Sequence, residues 1–264
     1  MHCAEQDAEL HDAAVLDQFT RQAEPFARRH GYHRDEILEL MAECAAVHPD
    51  QTVLDVACGP GIISCFFAKR ARHVTGLDFV PAMLDRARRY QAEQQVENVA
   101  WQAGSSTDLP FADHTFDCVV TRFSFHHFLD PRAALREMKR VARPGGTVLV
   151  CDVAPSAATQ DAFNHWEILR DPSHTRALTL AELEGSGDAA GLFLRRKETC
   201  SLDCDLEGLL AGSFPKAGDA DRIRGLFESV IRLGGDPLGV GARRENGAIY
   251  LTYPVAVFAW QKAG

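Results

Sequence analysis

The chain has 264 residues, 46% of them hydrophobic and 25% charged, enough for one large core or a core with a small appended lobe. Its 28 basic and 37 acidic side chains give a formal charge of −9. No dense basic run is present, so a nucleic-acid partner, which needs a clustered positive face, is not expected. The N-terminus is polar and acidic, and no apolar stretch approaches the roughly 20 residues that span a bilayer, so the reading is a cytoplasmic protein with no membrane association. Eight cysteines are scattered, four of them inside apolar segments, as suits reduced, buried thiols. Only Cys200 and Cys204 are close, and no His or further Cys completes a zinc-like spacing; no metal site is expected.

In chain order, residues 8–48 read as two or three helices with Phe19, Phe26, Ile37, Leu38, Leu40 and Met41 as apolar contacts, and are a candidate lid. From 52 to 152 short apolar runs alternate with amphipathic stretches of helical length, the mark of a parallel sheet covered by helices. Strands are predicted at 52–57, 73–78, 99–103, 116–121 and 147–152. Between them, 61–71 carries Ile62, Ile63, Phe66 and Phe67, and Pro81 opens a helix with Met83, Leu84 and Ala87. Asp130-Pro131 starts another, with Asp130 as cap, and Pro144-Gly145-Gly146 ends it. Residues 154–178 read as an irregular helical insertion in which Phe163 and Trp166 are expected to close over a bound molecule. Thr179-Leu180-Ala181-Glu182 is a capping box. A strand at 192–199, a helix at 220–233 and a long β-rich run at 249–261 complete the chain.

The strongest local signal is Val53-Leu54-Asp55-Val56-Ala57-Cys58-Gly59-Pro60-Gly61, an apolar strand running into a glycine-containing turn and then a helix. Such glycines let a ligand approach the backbone, and the helix start offers free N–H donors. The spacing Gly59-x-Gly61-x-x-Ser64 lacks the third glycine of the nicotinamide fingerprint. Asp55 lies immediately before the turn, where a carboxylate opposes a pyrophosphate but helps to hold a ligand with ammonium and sulfonium charges, as S-adenosylmethionine has.

This stretch resembles the first motif of class I S-adenosylmethionine-dependent methyltransferases, particularly the ubiquinone and menaquinone biosynthesis branch. Further matches follow in order at Val74-Thr75-Gly76-Leu77-Asp78, Asp108-Leu109-Pro110-Phe111, Phe116-Asp117-Cys118-Val119-Val120 and Leu135 through Gly146. The resemblance implies a Rossmann-like, doubly wound α/β fold: a mostly parallel seven-stranded sheet with an antiparallel C-terminal strand, an N-terminal helical lid and a helical insertion after the fifth strand. The division expected is 1–48 lid, 49–153 cofactor-binding core, and 154–264 insertion plus the C-terminal part of the sheet within the same domain. Leu169-Arg170-Asp171-Pro172-Ser173-His174 also resembles a stretch in uncharacterised relatives, with no chemistry attached.

Carried over by position, the resemblance assigns S-adenosylmethionine to Asp55, Ala57, Gly59 and Gly61 of the turn, and to Asp78, which would accept from both ribose hydroxyls. The alternative for Asp78 is a cap on the next helix. Phe79 and Met83 would flank the adenine. Ser105 stands where relatives usually have an aspartate; its hydroxyl and the Ser106 N–H are kept as adenine contacts. Arg122 would bind the methionine carboxylate or an acidic acceptor, or else form an ion pair. In the loop Thr121 through Phe128, His126 is the candidate general base, with His127 as a structural partner; packing and loop capping are the alternative for both. The function expected is one-step in-line methyl transfer to a small, partly apolar acceptor, by a monomer or homodimer. Two readings stay open beside it: a protein of this fold that binds S-adenosylmethionine and catalyses a non-methylating reaction, and a thiol or arsenite methyltransferase.

Overall fold

The computed structural model describes residues 2–28 and 35–264, and the side chains of residues 6, 8–25 and 36–264. Phe26 falls outside the described side chains. The sheet is built from β1 (Thr52–Val56), β2 (His73–Asp78), β3 (Val99–Ala103), β4 (Phe116–Arg122), β5 (Ala142–Val153), β6 (Leu192–Asp205), β7 (Arg243–Glu245) and β8 (Ala248–Lys262). Its order is β3-β2-β1-β4-β5-β8-β6, with short β7 paired to β8. Strands β1 to β5 are parallel, and β8 runs antiparallel to both of its long neighbours. This is the expected mostly parallel architecture, with seven strands on the main path.

The eighth strand, β7, was not expected. It is a three-residue polar run whose register is set by the hairpin turn Asn246-Gly247, both residues with positive φ (48° and 84°). Asn-Gly is a strong sequence signal for such a turn. Strand β6 runs six residues past its predicted end, to Asp205, because its pairing with β8 continues as far as Asp205 opposite Tyr250.

Both faces of the sheet are apolar and both are covered, as parallel sheets require. Successive residues alternate between the two sides: Val53, Val120 and Leu149 belong to one buried cluster, Leu54, Val119 and Val148 to the other. The first cluster is closed by α2 (Asp35–Ala45), α3 (Ile62–Ala68), α6 (Gln160–Arg170), α8 (Leu206–Ala211) and α9 (Asp219–Leu233); the second by α5 (Pro131–Val141) and α7 (Leu180–Ala189). Helix α4 (Pro81–Gln94) packs beside β2 and β3, and α1 (His2–Arg28) lies across it.

Local chemistry sets the ends. Asp130 accepts from the Ala133 N–H at the start of α5, and Thr179 and Glu182 form the expected capping box of α7. Helix α5 stops at Val141, three residues before Pro144, and the chain enters β5 directly, with a register shift against β4.

Two expectations are corrected by packing. Phe163 and Trp166 do not close over a ligand: both are fully buried in the core, Trp166 stacked on Tyr253 and the other ring contacts, with Phe227 and Tyr253, edge-on. Helix α2 is likewise a core element, with Ile37, Leu38 and Met41 buried against the sheet, so within 1–48 the covering role falls to α1.

Close approach at Gly76 fixes the spacing of β2, β3 and α3. A Cβ there would lie 2.5 Å from the Trp101 ring and 2.8 Å from Ser64 Oγ. Overpacking of this kind costs about 1–3 kcal/mol. Gly76→Ala should lower the urea midpoint by a corresponding amount, and a Trp101→Val background should reduce that loss.

Candidate functional site

The strand order reverses between β1 and β4, and α/β proteins place ligands outside the carboxyl ends of strands at such a point. A cavity of about 510 Å³ opens there. Its sides are the turn after β1, the end of β2 with Met83, the loop at 104–107, and the loop after β4. Helix α1 roofs it with Ala8, His11, Asp12, Val15 and Phe19, spaced 3, 1, 3 and 4 residues apart on one helical face.

The turn is held in a conformation made for a ligand. Ala57 and Gly59 both have positive φ (55° and 52°), and nothing lies within 4 Å of the point where a Gly59 Cβ would sit. Asp78 locks the turn: its Oδ2 accepts from the Gly59 N–H at 2.7 Å and its Oδ1 from the Val80 N–H at 2.8 Å. Burial pushes the Asp78 carboxyl up to about 6, against the pull of those backbone N–H groups. Asp55 is also buried and accepts from Ser64 Oγ at 2.6 Å. Burial raises it to about 7, opposed by the Ser64 hydrogen bond and the Arg122 charge. Both carboxyls border the cavity. Hydroxyl donors and positive charge brought by a ligand would return them to the ionised form.

The remaining cofactor candidates divide clearly. Phe79, 44% exposed, and buried Met83 border the cavity, as do Ser105, Ser106 and Arg122. Ser105 Oγ lies 3.0 Å from Thr107 Oγ1 and accepts from the Thr107 N–H at 3.3 Å, and the Arg122 guanidinium stands over the Phe123 ring. Gly61 does not border the cavity. With φ of 84°, its missing Cβ would meet Trp101 at 2.7 Å and Ala87 at 3.0 Å, so it serves helix packing, the task of the absent third glycine. Ser64, read only as that absence, instead holds Asp55.

The loop after β4 carries the histidines on a 3₁₀ turn, Phe125–His127. His126 Nδ1 pairs with Asp152 Oδ1 at 2.5 Å, and His126 borders not the large cavity but an adjoining chamber of about 30 Å³. Burial works against its protonation, but the charge and hydrogen bond of Asp152 outweigh that and raise its pKa above the usual His value. His127, read as a mere partner, borders both spaces. Burial and the neighbouring His126 charge push it down to about 3, so it is neutral at physiological pH. Sequence reasoning missed His11, whose Nε2 lies 2.7 Å from the His127 carbonyl, and Asp12; the single helical face they share with Val15 and Phe19 was the available signal.

An open α/β sheet with a glycine-turn cradle and a carboxylate at the end of the second strand defines a nucleoside-type cofactor site. A family model described as "Methyltransferase domain" matches residues 54–150. YcgJ of Bacillus subtilis (strain 168), an uncharacterized methyltransferase, is 36% identical over 166 residues, covering 62% of this chain and 66% of the relative. Its crystal structure superposes with a TM-score of 0.79 and 28% identity, covering 88% of this chain and all of that one. An uncharacterized protein, YafE, of Escherichia coli (strain K12) is 39% identical over 159 residues, 60% of this chain and 77% of YafE. UbiE of Ruegeria sp. (strain TM1040), a ubiquinone/menaquinone biosynthesis C-methyltransferase, is 41% identical over 117 residues, 43% of this chain and 47% of that protein. The matched part thus spans about two thirds of YcgJ and about half of UbiE. The chain belongs to the S-adenosylmethionine-dependent methyltransferase family, and its cofactor is S-adenosylmethionine. The residues at the cavity fit that group: an open backbone cradle at Gly59, two buried carboxyls for hydroxyls and cationic centres, and the apolar Phe79 and Met83 for a flat ring.

Asp78 and Asp55 set a pH dependence. Both carboxyls are raised, so both are protonated at pH 5 and largely ionised at pH 8. Affinity for S-adenosylhomocysteine should therefore rise with pH across this window, by on the order of tenfold for each unit by which the ligand lowers a carboxyl pKa. Calorimetry at pH 5, 6, 7 and 8 measures it. Asp78→Ala should weaken binding at pH 8 by about 1.5–3 kcal/mol and flatten the profile.

Proposed function

We propose that the protein methylates a small, partly apolar molecule, with S-adenosylmethionine held by Asp55, Ala57, Gly59, Asp78, Phe79, Met83, Ser105, Ser106 and Arg122. The observation that carries this reading is the continuity of the cavity: beyond the cofactor residues it extends under α1, between Val15, Phe19, Phe128, Leu129 and Ala133, with His11, Asp12 and His127 as its polar groups. Apolar walls with a few convergent polar groups suit a small acceptor. No helix among the described residues is long and apolar enough to cross a membrane. The acidic surface argues against nucleic acid, and we infer a cytoplasmic enzyme acting as a monomer or homodimer.

When bound, S-adenosylmethionine supplies an electrophilic methyl group for a single in-line displacement. The chain's part is alignment and exclusion of water: α1 roofs the cavity, and the loop from Arg122 to Ala133 walls the acceptor side. Where the acceptor must lose a proton, His126 is the group to receive it. Asp152 orients its Nδ1 and stabilises its charged form, and the residue borders the small chamber. That chamber has room for about one water molecule, a reach that general-base catalysis allows.

The decisive experiment is incubation with methyl-labelled S-adenosylmethionine and a panel of small acceptors. Label should appear in an acceptor; binding of the cofactor without label transfer to any of them would favour the non-methylating reading. For an acceptor that is methylated, His126→Ala should reduce kcat by about 10²-fold or more, with cofactor affinity unchanged. The base works deprotonated, so the wild-type rate should fall with decreasing pH through a value above the ordinary His pKa of about 6.5, and the variant should lose that limb. Near-full turnover of the variant would assign His126 to packing.

A further inference from the structure

The Arg170-Asp171-Pro172-Ser173-His174 segment takes no part in the cofactor site, yet it and the residues after it grip the histidine loop. Thr175 donates from both its N–H and Oγ1 to the His126 carbonyl at 2.8 Å, and Arg176 N–H donates to the same oxygen at 3.2 Å. Ser173 lies against His127: its carbonyl oxygen and its Oγ are each 3.1 Å from His127 Nδ1.

What matters is where the Ser173 hydroxyl proton goes. The hydroxyl donates to Asp171 Oδ1 at 2.6 Å, and the Ser173 N–H donates to the same oxygen at 3.0 Å. Gln22 of α1 occupies the other carboxylate oxygen at 3.0 Å. With its proton committed, Ser173 offers only lone pairs to Nδ1. Nδ1 must therefore carry the ring proton, and Nε2 of the neutral imidazole is an acceptor. Among the described residues no hydrogen bond occupies Nε2, although His127 as a residue is buried, at 8% exposure, and borders both cavities.

We propose that His127 Nε2 is the specificity-determining hydrogen-bond acceptor of the acceptor pocket, and that the molecule methylated presents to it an uncharged O–H or N–H donor, not a carboxylate or other anion. This rests on the reading that the pocket under α1 receives the methyl acceptor. An anion has no proton to donate to Nε2. Of the two arginines that border these spaces, Arg122 is the one assigned above to the cofactor, and the Arg170 guanidinium is held by Glu167 at 2.6 Å and by Ser213 Oγ at 2.8 Å, with Asp171 at 3.8 Å. Sites built to pair a donor reject a mismatched analogue by large factors, because a buried polar group is left unpaired. The apolar frame of the acceptor is gripped by Val15, Phe19 and Phe128, while Phe19 stands edge-on to the His127 ring.

The test uses the full chain with ¹⁵N-labelled histidine, saturated with S-adenosylhomocysteine. Long-range ¹H–¹⁵N spectra from pH 6 to 8 should show His127 with Nδ1 protonated and Nε2 bare. Phenol should shift the Nε2 resonance saturably; anisole, which lacks the donor, and sodium benzoate should bind at least about 100-fold more weakly. His127→Phe should abolish the preference for phenol over anisole while retaining affinity for S-adenosylhomocysteine. A protonated Nε2, benzoate binding as well as phenol, or no phenol binding by a protein that holds S-adenosylhomocysteine would each overturn the proposal. Failure to bind S-adenosylhomocysteine at all would instead count against the cofactor reading on which it rests.

Discussion

The site depends on one buried carboxylate shared between two backbone segments. Asp78 takes the Gly59 N–H from the turn after β1 and the Val80 N–H from the entrance to α4. These segments must stay a fixed distance apart for a ligand to lie between them. A carboxylate accepts both bonds at once with lone pairs to spare, and the bonds are strong because the acceptor is charged and partly desolvated. A single side chain thus sets the turn conformation, the start of the helix that carries Met83, and the polar floor of the cavity. The sequence reading weighed a ribose acceptor against a helix cap. The geometry gives Asp78 a cap-like bond to Val80 while its position on the cavity leaves the first role open.

On the acceptor side the same logic runs through a longer chain of bonds. Residues 171–176 hold the histidine loop from behind, and α1 joins them: Gln22 bonds Asp171, Gln18 bonds the Ser213 carbonyl, and His11 lies in hydrogen-bonding range of the His127 carbonyl. The roof is therefore tied down by these polar contacts and by the Phe19 ring set edge-on to His127, with a small apolar cluster of Ala23, Val80 and Met83 beside them. Buried polar bonds need their full partner set, so they define one position of the roof more sharply than apolar packing would.

The parallel core was legible because its signals are local. A strand, a glycine turn and a capped helix each occupy a few consecutive residues, and their order fixes the topology. For the same reason the residues expected on the cofactor side border the cavity, except Gly61, where the glycine serves Trp101 and Ala87 from distant elements. Legibility failed where the deciding contact is far in sequence. Nothing around Phe163 and Trp166 shows that Phe227 and Tyr253 will bury them. His126 and His127 are adjacent and chemically identical, and only Asp152 and Ser173, 26 and 46 residues away, give them different environments.

Those environments carry a thermodynamic burden that indicates what the pocket is for. Asp55 and Asp78 are raised above the ordinary carboxyl value, so ionising them disfavours the folded state: the loss accumulates as pH rises from about 4, where the unfolded chain begins to ionise, to about 7. Ala57 and Phe123 add backbone strain, being non-glycine residues at φ of 55° and 53° on the cavity wall. A ligand that pairs with the carboxylates reverses the first cost by binding only the folded, ionised form. Part of the protein's stability is thus withheld while the cavity is empty, and the groups through which it is withheld, Asp55 and Asp78, stand on the cavity wall.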